Sequence, residues 1–105
     1  MIRVKVLYRG QAIQQISVSG HSGYAEAGHD IICAAVSTAF VGVINCLDDA
    51  PETYEINVES GLGSIRVNRE VSQHDAVALE VMVRILGELA ETYPDFIQYQ
   101  EERRK

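Results

Sequence analysis

The sequence predicts an α+β domain in which two β-hairpins are each followed by a helix (ββαββα), with the helices packed against the sheet. Apolar and polar residues alternate in two regions, 2–19 and 54–69, and each region contains a glycine turn near its middle. A longer segment with apolar residues at helical spacing follows each region. A chain of 105 residues has room for a single core, so we treat residues 1–105 as one domain.

The N-terminal hairpin begins with a strand in which every second residue is apolar: Ile2, Val4, Val6 and Tyr8. Gly10-Gln11 is the predicted turn, and residues 12–19 form the second strand. Gln14 and Gln15 break the alternation, so we expect a bulge or an edge position there.

The first helix is predicted to follow a loop, residues 20–29, which has no periodicity and contains three glycines. Asp30 is a suitable N-cap, and the helix is expected to run from Ile31 to about Leu47. Apolar residues surround this helix almost completely, which predicts burial on most sides.

The second hairpin is predicted from strict alternation in residues 54–59 and 64–69. A two-residue turn at Gly61-Leu62 would pair Val58 with Ile65 and would place the apolar residues on one face.

The second helix is predicted to begin after Ser72, which with Asp75 resembles a capping box, and to end at about Thr92. An apolar stripe faces the core, and three further apolar residues widen it: Val77, Val81 and Ile85. The extra width suggests a dimer contact, and a thick core would explain it as well. The charged tail, residues 101–105, is typical of a solvated or frayed terminus.

The net charge of −6 argues against nucleic acid as a direct partner and is compatible with a basic peptide or protein. Arg3 and Lys5 interrupt the first apolar run, so it does not resemble a signal peptide, and we expect a cytoplasmic protein without a membrane span.

Cys33 and Cys46 would lie about 20 Å apart along one helix. This separation is too large for a disulfide.

Cys33 is the best candidate for chemistry, because it would be the third residue of the first helix. There, unpaired backbone N–H groups and the helix dipole would lower its pKa and could stabilise an oxyanion. The alternative is a small buried hydrophobic residue in an alanine-rich helix. Cys46, deeper in the same helix and far from any histidine, is assigned to packing.

Two histidines near Cys33 are candidate bases, and the residues alone do not choose between them. His21 opens the loop, whereas His29 precedes Cys33 by four residues. Asp30 could orient a histidine or cap the helix. Ser37 could contact substrate or only pack against neighbouring residues. His21, His29 and Cys33 could also be zinc ligands, but their spacing matches no common zinc signature. His74, in the first turn of a helix, is interpreted as structural.

The segment around Cys33 resembles a known signature. Gly20-His21, Tyr24-Ala25, Gly28 and the run from Asp30 to Ser37 resemble the motif of the ribosomal-processing cysteine protease family, Prp. The order of hairpins and helices also resembles that family, so the likeness covers essentially the whole chain. Ser22 stands where alanine is more often expected, which is a change between small residues.

The resemblance implies a cysteine protease in which Cys33 is the nucleophile and His21 the general base and acid. Asp30 is a candidate for a supporting or capping role, and we predict substrate contacts from four residues: Gly20, Ser22, Gly23 and Ser37. The implied activity removes a short N-terminal extension from a large-subunit ribosomal protein. The resemblance also implies that the enzyme is a cytoplasmic homodimer that uses no metal and no organic cofactor. The alternative is a non-catalytic ribosome-assembly domain with Cys33 in its core.

Overall fold

The computed structural model describes residues 1–21, 23 and 30–105, and it confirms the predicted α+β class. Two helices pack on one face of a five-stranded sheet with the strand order β3-β4-β2-β1-β5. The elements in chain order are β1 (Ile2–Arg9), β2 (Ala12–Gly20), α1 (Ile31–Ile44), a short 3-10 helix (Pro51–Thr53), β3 (Tyr54–Glu59), β4 (Leu62–Val67), α2 (Gln73–Thr92) and β5 (Ile97–Arg104).

The C-terminal segment is a strand, so the tail at residues 101–105 is solvated, as one of the two predicted alternatives had it, but the frayed alternative was wrong. β5 pairs with β1 in parallel, from Ile2 opposite Ile97 to Arg9 opposite Arg104. Its charged residues suit an edge position, where side chains reach water and discourage pairing with another sheet. Only the first part of the strand carries apolar anchors, because Ile97 is buried and Tyr99 packs against the core.

The β1–β2 hairpin contains the predicted irregularity. The register shifts where Leu7 opposes Gln15 and Tyr8 opposes Ile13, which leaves Gln14 as the extra residue of a bulge.

The β3–β4 turn lies one residue earlier than predicted, at Ser60-Gly61, and Val58 pairs with Gly63 instead of Ile65. Ser60 and Gly61 both have positive φ, 54° and 84°, as a type I′ turn requires. A Cβ on Gly63 would lie 1.8 Å from the backbone oxygen of Asn57. The glycine is therefore needed within the strand pairing, which the turn motif alone did not reveal.

The core lies between the sheet and the helices. Its largest fully buried side chains come from every layer and include Phe40 of α1, Leu79, Met82 and Leu86 of α2, and Ile2, Ile16 and Ile65 of the sheet. Within the described part of the chain, neither helix combines the length and the apolar character needed to cross a membrane.

α1 begins as predicted but is shorter than expected. The Asp30 carboxylate caps it, because one oxygen accepts hydrogen bonds from the backbone N–H groups of Ile32 (3.0 Å) and Cys33 (2.9 Å). The helix ends at Ile44, with Asn45 as its C-cap. One face remains exposed, with Ile31 59% accessible, while the other sides are buried or half-buried, as predicted.

A buried carboxylate, that of Asp75, joins the start of α2 to two other parts of the chain. It accepts hydrogen bonds from the backbone N–H groups of Asp48 and Asp49 (both 2.9 Å), from the Tyr54 hydroxyl (2.6 Å) and from Nδ1 of His74 (2.8 Å). Burial opposes its ionisation, yet these hydrogen bonds hold the pKa of Asp75 well below its usual range. The hydrogen bond to Asp75 and the nearby Asp48 carboxylate raise the pKa of His74.

Two replacements of the N-cap residue Asp30 should distinguish the effect of helix capping on stability from the effect of the negative charge. We expect Asp30→Ala to lower the free energy of unfolding by about 1 kcal/mol, because two backbone donors lose their acceptor. Asp30→Asn should lose much less, since asparagine caps a helix about as well as aspartate. Urea unfolding at pH 7 measures both. Equal losses in the two variants would contradict a capping role for Asp30.

The His74–Asp75 contact should make stability depend on pH. The raised pKa of His74 stabilises the fold fully below about pH 6.5, and this contribution is lost as the pH rises through the folded-state value. The lowered pKa of Asp75 acts oppositely, with stability lost as the pH falls below about 4.

Urea unfolding between pH 6 and 8 measures the His74 part. His74→Gln should remove the decline in stability that comes from this residue. His21→Gln, which leaves His74 in place, is the matched control and should keep that decline. The same slope in wild type and His74→Gln would exclude the linkage.

Candidate functional site

An open cavity of about 920 Å³ lies at the N-terminal end of α1, next to the end of β2. Six residues that were singled out from the sequence line it: Gly20, His21, Gly23, Asp30, Cys33 and Ser37. Ser22 and His29 fall outside the residues that the structure describes, as do Tyr24, Ala25 and Gly28 of the motif. The six residues come from one continuous part of the chain, with at most 17 positions between Gly20 and Ser37.

The start of α1 positions Cys33. It is the third residue of the helix and is partly buried at the cavity wall. Its backbone N–H donates to the Asp30 carboxylate, and the N–H of Ala34 donates to the backbone oxygen of Asp30 at 3.1 Å. The expectation of unpaired N–H groups around Cys33 was therefore wrong for Ile32, Cys33 and Ala34. The capping side chain takes two of these donors, so they are not free to bind an oxyanion while the cap is in place.

The end of β2 positions His21. Gly20 pairs with Ile2 and has a φ of 92°, and a Cβ at this position would lie 2.3 Å from the backbone oxygen of Met1. Only glycine fits this close approach without a backbone shift. The chain therefore leaves the sheet at a defined point, and His21, which follows immediately, is exposed at the cavity.

The β3–β4 turn forms a further wall of the cavity, which the sequence reasoning did not identify. Glu59, Ser60, Leu62 and Gly63 all line it. A Cβ on Gly61 would lie 2.7 Å from Oγ of Ser37, so the turn packs directly against α1. The glycines of the turn were visible in the sequence, but their contact with α1 joins residues 24 positions apart and has no local signal.

The second cysteine lies away from this site. Cys46 is exposed, beyond the end of α1, and does not line the cavity, so its predicted position deep in the helix was wrong. The last residue of the helix is Ile44, and Asn45 is its C-cap. Both cysteines are free thiols.

A grouping of metal-ligand side chains occurs elsewhere in the described part of the chain, at Asp48, His74 and Asp75. Both Asp75 oxygens already accept hydrogen bonds that hold the fold together, and the His74 ring contacts the same carboxylate. This contact agrees with the structural interpretation of His74. For the zinc set considered above, His21 and Cys33 share the cavity, whereas His29 lies outside the described residues.

The cavity combines a thiol, an imidazole and space for a substrate. A thiol beside an imidazole supports nucleophilic attack on an acyl carbon, with the imidazole taking and returning a proton. Hydrolysis of a peptide or an ester through a thioester is the chemistry that this set of groups fits.

Comparison with known proteins agrees with this chemistry. The family model described as cysteine protease Prp matches residues 1–98. The ribosomal processing cysteine protease Prp of Mycoplasma pneumoniae is 32% identical over 93 residues, 86% of this chain and 89% of that protein. The protein of the same name from Staphylococcus aureus strain Mu50 is 26% identical over 102 residues, 93% of this chain and 96% of that protein.

A solved structure also resembles the fold closely. It is the crystal structure of an essential ribosomal processing protease Prp from S. aureus in complex with a covalently linked product peptide. The two superpose with a TM-score of 0.86 at 25% identity, over 97% of this chain and 100% of that chain. The matched family model, the relatives and this fold together assign the chain to the Prp family, and it is a cysteine protease.

Proposed function

We propose that this protease removes a short N-terminal extension from a large-subunit ribosomal protein before the ribosome is assembled, in the cytoplasm. The observation that carries the proposal is the shared cavity, onto which both Cys33 and His21 open. The relatives named ribosomal processing proteases support the substrate class. The S. aureus protease, crystallised in complex with a covalently linked product peptide, supports a peptide as the ligand of this protein.

The proposed mechanism has two steps. The thiolate of Cys33 attacks the carbonyl carbon of the scissile bond, His21 donates a proton to the departing amine, and a thioester remains on Cys33. Water then attacks the thioester while His21 accepts a proton from it, so the carboxylic acid leaves and the thiolate of Cys33 and the protonated His21 are restored. In this scheme Asp30 holds the helix start that carries Cys33, and a direct supporting role for its carboxylate stays a prediction.

We assign substrate contacts to the glycine segment and to one serine. Gly20 and Gly23 line the cavity, and because glycine has no side chain, a bound peptide could approach their backbone closely. Ser37 lines the same cavity one helical turn after Cys33. Ser22, the fourth residue predicted to contact substrate, keeps that assignment from the sequence.

We also propose that the enzyme is a homodimer that pairs through the exposed face of α1 and α2. Ile31, Val77, Val81 and Ile85 are between 38% and 59% accessible there. A shallow groove of about 550 Å³, lined mainly by small α1 residues and by Ile85, lies on the same face. Burial of this apolar surface against a second copy would stabilise the pair, and the small residues allow close approach.

The activity is tested with the extended ribosomal protein, whose mass is measured before and after incubation. Wild type and Cys46→Ala should both shorten it at one site, because Cys46 lies outside the cavity. Cys33→Ala should give no shortening, since no other thiol reaches the cavity among the described residues. His21→Ala should slow the reaction by at least about 100-fold, the usual contribution of a general acid–base.

Two results would contradict the protease assignment for this substrate. One is an unchanged mass after incubation with folded wild type. The other is equal shortening by Cys33→Ala, and either result would favour the non-catalytic assembly domain.

The dimer is tested by sedimentation velocity. Ile85→Asp should shift the protein from dimer to monomer, because a charge would be buried at the interface without a partner. Gln98→Asp, which adds the same charge at an exposed position of β5, is the control and should stay dimeric. A monomeric wild type, or a dimer that survives Ile85→Asp with native circular dichroism, would exclude this surface.

A further inference from the structure

An acidic residue for which the described part of the chain offers no ion-pair partner lines the active-site cavity. Glu59 is the last residue of β3, is exposed, and lines the cavity together with the turn that follows it. It lies on the wall formed by the β3–β4 turn, whereas Cys33 belongs to the wall formed by α1.

The wall that carries Glu59 is firmly placed. Gly61 packs against Ser37 so closely that a Cβ would come within 2.7 Å of its hydroxyl oxygen. Gly63 lies against the backbone of Asn57 within the hairpin. These two contacts fix the backbone around Glu59 with respect to α1 and therefore with respect to Cys33. A charge on a rigid frame selects ligands more sharply than one on a flexible arm.

Among the described residues, no ion pair neutralises the charge of Glu59. The described ionisable residues that line the cavity are His21, Asp30, Cys33 and Glu59. Asp30 uses its carboxylate to cap α1. Within the part of the chain that the structure describes, Glu59 has no ion-pair partner, whereas Glu55, four residues earlier on the same strand, is paired with Arg66.

We propose that Glu59 is a specificity-determining residue that favours substrates with a lysine or arginine at one position near the scissile bond. The inference rests on the proposed peptide cleavage and deepens it. The carboxylate would attract a cationic side chain of the bound peptide and repel an acidic one. Because Glu59 is exposed, its pairing should change kcat/KM by only about two- to fivefold, the range of solvent-exposed ion pairs.

The test uses peptides that copy the cleaved region of the extended ribosomal protein. All charged positions are first made neutral, and a single lysine or a single glutamate is then placed at each position in turn. For every enzyme, the measured quantity is the ratio of kcat/KM for the charged peptide to kcat/KM for the neutral one. Wild type should favour lysine over the neutral residue at one position by about two- to fivefold and should disfavour glutamate there.

Variants of Glu59 identify the source of that preference. Glu59→Gln should bring the lysine ratio to about one, Glu59→Lys should favour glutamate at the same position, and Glu59→Asp should keep part of the lysine preference. Glu55→Gln is the matched control on the same strand and should keep the wild-type ratios, because Glu55 does not line the cavity. Higher salt should reduce the wild-type ratio.

Two failures are distinguishable. Cleavage by wild type with the same charge preference in Glu59→Gln would overturn the inference and leave the proposed function standing. No cleavage of any peptide or of the extended protein by wild type would overturn both.

Discussion

The buried carboxylate of Asp75 is the interaction on which the arrangement of the helices and the second hairpin depends. It joins three segments that are distant in the sequence: the connection after α1, the start of β3 and the start of α2. A carboxylate without these donors would be costly to bury, so the network forms as a unit or not at all. Because α1 and the β3–β4 turn supply two walls of the cavity, this remote network also helps to set its shape.

Local sequence patterns predicted the elements well and the non-local pairings poorly. Period-two alternation located four strands, and the caps Asp30 and Ser72 located both helix starts. β5 was missed because its stability comes from pairing with β1 across the fold, and a run of charged residues carries no signal for that contact. The hairpin register was misjudged because Gly63 is required by the backbone of Asn57, a contact that appears only after the strands have paired.

The candidate site shows the same difference between local patterns, which the sequence predicts, and contacts between distant residues, which it does not. Cys33, His21 and Asp30 lie in or beside one continuous segment, so spacing and family resemblance were enough to select them. The wall formed by the β3–β4 turn arises from packing between distant residues, and Glu59 therefore had no distinguishing mark in the sequence. The engaged N–H groups at the start of α1 follow from the predicted cap itself, because a residue that caps a helix also occupies backbone N–H donors there.

The parallel pairing of β1 with β5 has a consequence for synthesis of the protein. β1 is complete within the first nine residues, but one of its two edges stays open until residues 97–104 have been made. A strand that waits with unpaired backbone groups is prone to pair with the wrong partner. The nascent chain thus passes through a stage in which residues 1–96 exist while the sheet still lacks the strand that borders β1. The charged residues of β1, Arg3, Lys5 and Arg9, would make that unpaired edge less prone to pair with a strand of another chain.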